Sequence, residues 1–270
     1  MNITAQTKIC MVIGDPVAHS LSPQMHNAGY RAVNIDDQYV YVASKVDVKN
    51  IENFIKGVRA MNIRGISCTI PHKIAVMPYL DKIDKTAKKI GAVNTIINDN
   101  RKLIGYNTDW LGIITPLEKI TTIKNKTVAL IGAGGAARAV AYAVTKKGAK
   151  LIIFNRTIEK AVNLAKEFGG ESGSLNVIAK IKNADIIINT TSVGLENKNN
   201  TVTPKEYLNE KQIVFDIVYG NEETKLITDA KEKGAKTIAG IEMLLYQGVE
   251  QFKLFTGHDA PVDVMKKVLL

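Results

Sequence analysis

Cysteine is almost missing from this chain: two among 270 residues, Cys10 and Cys68. Two isolated thiols form neither a disulfide framework nor a metal-ligand spacing, and both sit in strand-like runs where a core thiol is expected. Histidine is scarce as well. His19, His26, His72 and His258 lack ligand spacing and no carboxylate cluster accompanies them, so no metal is expected. No apolar stretch reaches the length of a membrane span, and Met1-Asn2-Ile3-Thr4 opens no secretory leader. A cytoplasmic enzyme without membrane contact is the natural expectation. Internal repeats and low-complexity segments are also lacking.

Negative charge is the minority sign, with 26 Asp and Glu against 36 Lys and Arg and a net charge of +10. The lysines are dispersed, with nothing longer than pairs such as Lys88-Lys89 and Lys266-Lys267, and aromatics do not interleave them. A nucleic-acid partner is therefore not expected. A positive field gathers small anionic ligands, although a lysine-rich composition serving solubility alone gives the same count. A small-molecule substrate and a monomer or homodimer are the expectation.

The stretch that organises the chain runs from Lys126 to Arg156. Val128 to Ile131 is too short for a helix and rich enough in branched residues for a buried strand. Glycines follow at Gly132, Gly134 and Gly135, then an Ala-rich helix from Ala136 to Lys147 with Gly148 as its C-cap. A second strand, Leu151 to Phe154, closes a βαβ unit of the dinucleotide-binding kind, with Ala137 in place of the third glycine. Glycines let a pyrophosphate approach the backbone, and the first helical N–H groups receive its charge. After the second strand come Asn155, Arg156 and Thr157, with no acid until Glu159. A guanidinium there suits a ribose 2′-phosphate, so the cofactor expected is NADP rather than NAD.

At 270 residues the chain is long for one domain and comfortable for two. The first hundred residues alternate strands and helices: Ile9 to Ile13, a helix opened by Ser22 as N-cap with Pro23 at N1, Tyr39 to Val42, Val48 to Met61, and Gly65 to Ile70. A short helix starts at Pro71, another covers Thr86 to Ile90, and a hairpin turns at Asp99-Asn100. Asp109 caps a helix running from Trp110 to Lys119. Apolar runs at Ile186 to Ile188, Ile213 to Ile217 and Thr237 to Ala239 complete a doubly wound sheet of five strands, and Leu195 to Thr203 reads as a mobile loop. The fold class is α/β: a substrate domain of residues 1–109 and 241–270, and a Rossmann NADP-binding domain of residues 110–240. The last thirty residues are too few for a domain and must pack back, with the first domain as partner.

Candidate chemistry begins at Thr69-Ile70-Pro71-His72-Lys73. With Pro71 at N1, Lys73 falls in the first helical turn, where a cation opposes the helix dipole by up to about 1 kcal/mol. A broken local rule without compensation points to function, although a lysine stem that escapes to water is the equally simple reading. Asp109 is accounted for as a cap, yet its helix begins where one domain hands over to the next, so its carboxylate should face the cleft between them. Lys73 and Asp109 together form a proton-transfer pair suited to carbonyl reduction. Asn94 and Gln247 are candidates to bond substrate hydroxyls, against a turn residue and a surface amide. Ser20 and Ser22 at a helix start suit a carboxylate.

Ser20-Leu21-Ser22-Pro23 with His26-Asn27, Thr69 to Lys73, Gly91-Ala92-Val93-Asn94-Thr95, Gly105-Tyr106-Asn107-Thr108-Asp109, the Gly132 turn, Asn155-Arg156-Thr157 and Tyr246-Gln247-Gly248 stand in one order over nearly the whole chain. In that order they resemble shikimate dehydrogenases. The resemblance implies NADPH-dependent reduction of 3-dehydroshikimate to shikimate, in aromatic amino-acid biosynthesis. It implies Ser20 and Ser22 at the substrate carboxylate, Thr69, Asn94, Asp109 and Gln247 at its hydroxyls, Lys73 and Asp109 as the catalytic pair, and Tyr219 lining the pocket. It also implies Gly132, Gly134, Gly135 and Ala136 at the pyrophosphate, Asn155, Arg156 and Thr157 at the adenosine phosphate, Thr191 in the cofactor wall, and Gly240 and Met243 on the nicotinamide side. Two positions depart from the usual pattern: Ser67 where many members carry Asn, and Gly220-Asn221 where Asn-Pro is common. The nearest alternative is a quinate or dual quinate/shikimate dehydrogenase, with Ser67 or Gln247 accommodating an extra hydroxyl. From another class, an NADP-binding regulatory module needs neither Lys73, Asp109 nor the serine pair.

Overall fold

The computed structural model describes residues 3–220 and 222–270. Met1, Asn2 and Asn221, on which the leader and loop expectations partly fall, lie outside it. The chain opens with β1 (Lys8–Gly14), α1 (Ser22–Ala32), β2 (Tyr39–Lys45), α2 (Ile51–Ala60), β3 (Gly65–Cys68), α3 (His72–Ala75), β4 (Lys82–Ile83), α4 (Lys85–Ile90), β5 (Thr95–Asp99) and β6 (Lys102–Tyr106). It continues with α5 (Asp109–Glu118), β7 (Thr127–Ile131), α6 (Gly135–Lys146), β8 (Lys150–Asn155), α7 (Ile158–Phe168) and β9 (Glu171–Ser174). Then come β10 (Ile186–Asn189), β11 (Ile213–Asp216), α8 (Lys225–Glu232), β12 (Lys236–Ile238), α9 (Gly240–Thr256) and α10 (Val262–Lys267). Two compact units result: the chain up to Asp109 together with Leu244–Leu270, and Trp110–Met243.

In the first unit the strand order is β2-β1-β3-β5-β6-β4. β1 pairs in parallel with β2 and β3, whereas β5 runs antiparallel to β3 and to β6. The β5–β6 hairpin turns through Asn100 and Arg101, both at positive φ (50° and 68°), as a two-residue turn matching strand twist requires. One apolar cluster joins Ile13, Ile66, Cys68, Ile96 and Leu103 to Ile51, Ile55 and Val58 of α2. The C-terminal α9 packs against β3 and α1: a β-carbon on Gly65 would lie 2.2 Å from the Phe255 ring, and one on Gly29 2.8 Å from Phe252. Arg64 ties the end of α9 down, donating from Nε to the Phe255 carbonyl at 2.9 Å and from Nη1 to that of Asn98 at 3.0 Å.

The second unit is a six-stranded parallel sheet, order β12-β11-β10-β7-β8-β9, with the order reversing between β7 and β10. Alternate residues feed two cores, as a period of two demands of a strand covered on both faces. Val128, Leu130, Ile186 and Ile188 join one, and Ala129, Ile131 and Ile187 the other. This is the doubly wound arrangement expected, with six strands rather than five. The additional strand, β9, reads Glu-Ser-Gly-Ser. Its composition carries no strand signal; pairing with β8 at the sheet edge supplies the order that propensity does not.

Local corrections concern helix starts. Leu21 occupies the cap of α1, so Ser22 is its first residue and not the cap; the Ser20 hydroxyl accepts the Ser22 N–H at 3.3 Å instead. Pro71 is the cap of α3 rather than its first residue, which leaves Lys73 second in a helix of four residues. So short a helix sums few peptide dipoles, and the dipole argument for Lys73 loses its weight. Asp109 lies inside α5 and not before it; its N–H is taken by Asn107 Oδ1 at 3.0 Å. Leu195 to Thr203 forms no helix or strand.

Cys10 and Cys68 are both buried and unpaired, and burial pushes each thiol up to about 12. His26 is wholly buried, stacked on Tyr41 at 4.3 Å between ring centres, and neither ring nitrogen has a hydrogen-bond partner. Burial lowers it to about 3. Because the unfolded chain takes up this proton first, the contribution to stability is complete above about pH 6.5 and is lost as pH falls toward 3. Between pH 7 and pH 5 the loss amounts to about 2 kcal/mol. His26→Phe keeps a ring in the stack without the proton, and urea denaturation at both pH values should show its pH dependence reduced by that amount. Equal slopes in the two proteins would refute the assignment.

Candidate active site

Strand direction in the first unit brings four chain segments to one sheet edge. Parallel β1 and β3 end side by side at Gly14 and Cys68, with the Thr69 N–H bonded to the Ile13 carbonyl at 2.9 Å. The loop after β1 leads to Ser20 and Ser22, and the one after β3 carries Thr69 to Lys73. β5 runs the opposite way, so the residue preceding it, Asn94, lies at the same edge, its carbonyl accepting from the Cys68 N–H at 2.7 Å. β6 reverses again and delivers Asn107, Thr108 and Asp109 there. Ligand sites of open α/β sheets form at such strand ends.

The residues expected to do chemistry meet at this edge. Lys73 Nζ donates to Asp109 Oδ2 at 2.6 Å, with side chains only 13% and 4% exposed. Asp109 Oδ1 accepts from Asn94 Nδ2 at 2.9 Å, and the same amide nitrogen lies 2.9 Å from Thr108 Oγ1 and 3.4 Å from Gln247 Oε1. Gln247 is further fixed by donating to the Leu244 carbonyl at 2.7 Å. Lys73, Asp109, Asn94 and Gln247 therefore share one buried network. An ion pair this dry gives little net stability, because desolvation offsets its Coulomb energy. An ammonium held at a fixed point beside a carboxylate is suited to stabilise a developing alkoxide and to pass it a proton. Ser22 is buried, and Ser20 and Thr69 are half-buried.

In the second unit the turn after β7 has the shape a pyrophosphate needs. Gly132 holds φ +115°, and a β-carbon there would lie 2.4 Å from Thr190 Oγ1. A β-carbon on Gly134 would meet nothing within 4 Å, so the approach to α6 is open. Gly135 is the first residue of that helix and Ala136 its second; no side chain caps it and no acid stands in its first turn. Anions suit such a helix start. Asn155, at the end of β8, donates from Nδ2 to the Thr157 carbonyl at 2.8 Å, while Arg156 and Thr157 are exposed. These residues fit a dinucleotide carrying an extra phosphate.

Two further loops of this unit are organised by Asn189 and Asp216. Asn189 Oδ1 accepts from the N–H and the hydroxyl of Thr191, and its amide donates to Asp216 Oδ1 at 2.9 Å. Asp216 also accepts from the Val218 N–H and the Thr224 hydroxyl; burial raises its carboxyl above the usual range despite these three donors. The Val218 contact shapes the chain leading into Tyr219, which is half-buried. Gly240 admits no β-carbon, which would lie 2.4 Å from the Ile217 carbonyl. Met243 is packed into the larger apolar core of this unit.

Sequence reasoning misses several participants. Asn107 shapes the start of α5, and its spacing two residues before Asp109 is a usable Asx signal. Gln251 follows Gln247 by one helical turn and extends the network through Thr95 to Ser67 and Tyr41. Ser67, which departs from the usual pattern, is buried and bonded to both Tyr41 and Gln251. Among the described residues no group of histidines, cysteines and carboxylates is arranged to hold a metal ion.

Comparison with known proteins places this geometry. Residues 12–96 match the family model described as shikimate dehydrogenase substrate binding domain, residues 116–227 that of shikimate / quinate 5-dehydrogenase, and residues 240–270 that of shikimate 5′-dehydrogenase C-terminal domain. The chain is 43% identical over 268 residues to shikimate dehydrogenase (NADP+) of Aquifex aeolicus, covering 98% of this chain and 97% of that protein. A crystal structure of a shikimate dehydrogenase in complex with NADP+ is similar at TM-score 0.93 and 44% identity, covering 99% of this chain and 96% of that one. The shikimate 5-dehydrogenase of Thermus thermophilus, solved with NADP(H) and shikimate, is similar at TM-score 0.90 and 35% identity, covering 97% and 98%. With 98% of its length matched at 43% identity, the chain belongs to the shikimate dehydrogenase family.

Proposed function

We propose that this chain reduces the ring ketone of 3-dehydroshikimate to the hydroxyl of shikimate, with NADPH as the reductant. The observation that carries the mechanism is the buried contact of Lys73 with Asp109, joined to Asn94 and Gln247 in one network. The relatives named above as NADP-dependent shikimate dehydrogenases support the reaction. When bound, the reduced nicotinamide supplies the hydride. The chain must supply the proton, and Lys73 is the group placed to give it: its ammonium stabilises the negative charge that grows on the ketone oxygen and then releases a proton to it. Asp109 holds Lys73 in position and, being kept by Asn94 at its other oxygen, orients the adjacent substrate hydroxyl. Gln247 and Thr69 bind further hydroxyls.

Ser20 and Ser22 hold the substrate carboxylate at the start of α1, whose first turn carries no acid. Tyr219 lines the pocket. The unit ending at Asp109 and resuming at Leu244 serves as the substrate domain, and Trp110–Met243 as the NADP domain. There, Gly132, Gly134, Gly135 and Ala136 cradle the pyrophosphate, Asn155, Arg156 and Thr157 the adenosine phosphate, and Thr191, Gly240 and Met243 the nicotinamide end. A cytoplasmic enzyme acting as monomer or homodimer completes the reading. No helix among the described residues is long and apolar enough to cross a membrane. Ser67 already accepts from Tyr41 and donates to Gln251, so the quinate reading gains nothing from its hydroxyl.

Two substitutions test the reading. Lys73→Met keeps the stem and removes the ammonium; kcat with 3-dehydroshikimate should fall by about 10²- to 10⁴-fold while the Kd for NADPH stays unchanged. Turnover near that of the parent would reject Lys73 as proton donor. Arg156→Ala should raise the KM for NADPH by about ten-fold or more and leave that for NADH nearly untouched, since only one of the two carries the phosphate. A shift of equal size for both cofactors would reject Arg156 as the phosphate ligand.

A further inference from the structure

Below the Lys73–Asp109 pair runs a buried chain of hydrogen bonds whose direction is fixed at two backbone groups. The Thr108 N–H can only donate, and it meets Asn94 Oδ1 at 2.8 Å. The Asn94 amide therefore turns its Nδ2 toward Asp109. The Asn94 carbonyl can only accept, and it lies 3.3 Å from Gln251 Nε2. Gln251 thus also faces Thr95 Oγ1 with its nitrogen, at 2.9 Å, and the Thr95 hydroxyl is left to donate to Asn94 Oδ1 at 2.8 Å. The opposite end of the Gln251 amide, Oε1, requires a donor. Ser67 Oγ provides it at 2.9 Å, and Ser67 in turn accepts from the Tyr41 hydroxyl at 2.6 Å. Donors and acceptors alternate correctly from Tyr41 to Asp109, and the side chains of Gln251, Ser67, Thr95 and Asn94 are all buried.

We propose that Gln251 is a positioning residue for the reduction: it grips Asn94 from below, through its carbonyl and through Thr95, and so keeps the Asn94 amide aimed at Asp109. This rests on the reading of Lys73 and Asp109 as the proton-handling pair. Ser67 then serves as the anchor that sets the Gln251 amide, rather than as a ligand of substrate. Without Gln251, the Thr95 hydroxyl loses its donor and the Asn94 carbonyl a second partner, so Asn94 gains freedom to turn. Asp109 would then hold Lys73 less well aligned with the ketone oxygen. Misplacement of reacting groups costs rate far more than it costs binding.

The experiment measures kcat and KM for 3-dehydroshikimate and NADPH, with thermal denaturation of each protein alongside. Gln251→Met conserves volume and removes all three hydrogen bonds of the amide; kcat should fall on the order of ten- to a hundred-fold with the KM for NADPH unchanged. Ile55→Val, on α2 in the apolar cluster with Ile66 and Leu103 and bonded to no member of the network, is the control for lost packing: it should lower the melting temperature while kcat stays at the parental value. Ser67→Ala should reduce kcat by a smaller factor, and combined with Gln251→Met should cost nothing further. It also carries the test should Gln251→Met fail to fold. A parental kcat in Gln251→Met, or in Ser67→Ala where that variant carries the test, overturns the inference, as does an equal kcat loss in Ile55→Val and Gln251→Met. Absence of turnover in the unaltered protein would instead overturn the underlying reading of the activity.

Discussion

An ammonium and a carboxylate removed together from water set the terms for everything around them. Lys73 and Asp109 lie 2.6 Å apart with little solvent access. Taking both charges out of water costs several kcal/mol per ion, recovered only when the remaining donors and acceptors are also satisfied. The surroundings meet that condition. One Asp109 oxygen takes Lys73, the other takes Asn94, and the Asp109 N–H is held by Asn107. Each helper is itself buried and so needs partners of its own, which is why polar side chains extend inward as far as Tyr41 instead of stopping after one layer.

Topology makes this possible. In an all-parallel sheet every strand ends at one edge and begins at the other, and residues that follow strands are gathered by construction. The second unit works in this way: Gly132, Asn155, Thr191 and Tyr219 all lie just past, or at the end of, β7, β8, β10 and β11. The first unit needs a residue from the start of a strand as well. Reversal of β5 between β3 and β6 brings Asn94 to the edge where β1, β3 and β6 end. The C-terminal helix then contributes Gln247 and Gln251 from a part of the sequence some 150 residues away, at contacts that Arg64 and the close fit of Gly65 to Phe255 keep in register.

How much of this the sequence discloses depends on whether the signal is local. The βαβ unit is legible because strand, glycine turn and helix are adjacent, and each glycine has a separate steric reason. Lys73, Asp109, Asn94 and Gln247 can be picked out one by one, but not their contacts. Serine at positions 20 and 22 illustrates the limit: either hydroxyl can serve a helix start, and only the backbone angle at Leu21 decides that Ser20 accepts and Ser22 enters the helix. β9 is illegible because pairing with β8, rather than composition, makes Glu171–Ser174 a strand. Gln251 carries no signal of its own until the strands bearing Ser67 and Thr95, β3 and β5, are known to lie beneath it.

The departure at Ser67 becomes intelligible in the same terms. Ser67 and Thr95 are register partners across β3 and β5, so a side chain at position 67 faces the hydroxyl that steadies Asn94. The serine hydroxyl accepts from Tyr41 and donates to Gln251, and the link on to Thr95 is made by the Gln251 amide. That amide comes from the helix, presenting oxygen to Ser67 and nitrogen to Thr95. An amide of fixed direction stands at that point, between the hydroxyls of Ser67 and Thr95. Here the helix delivers it, and the serine, released from any need to reach Thr95, is free to take the Tyr41 hydroxyl and close the chain at its far end.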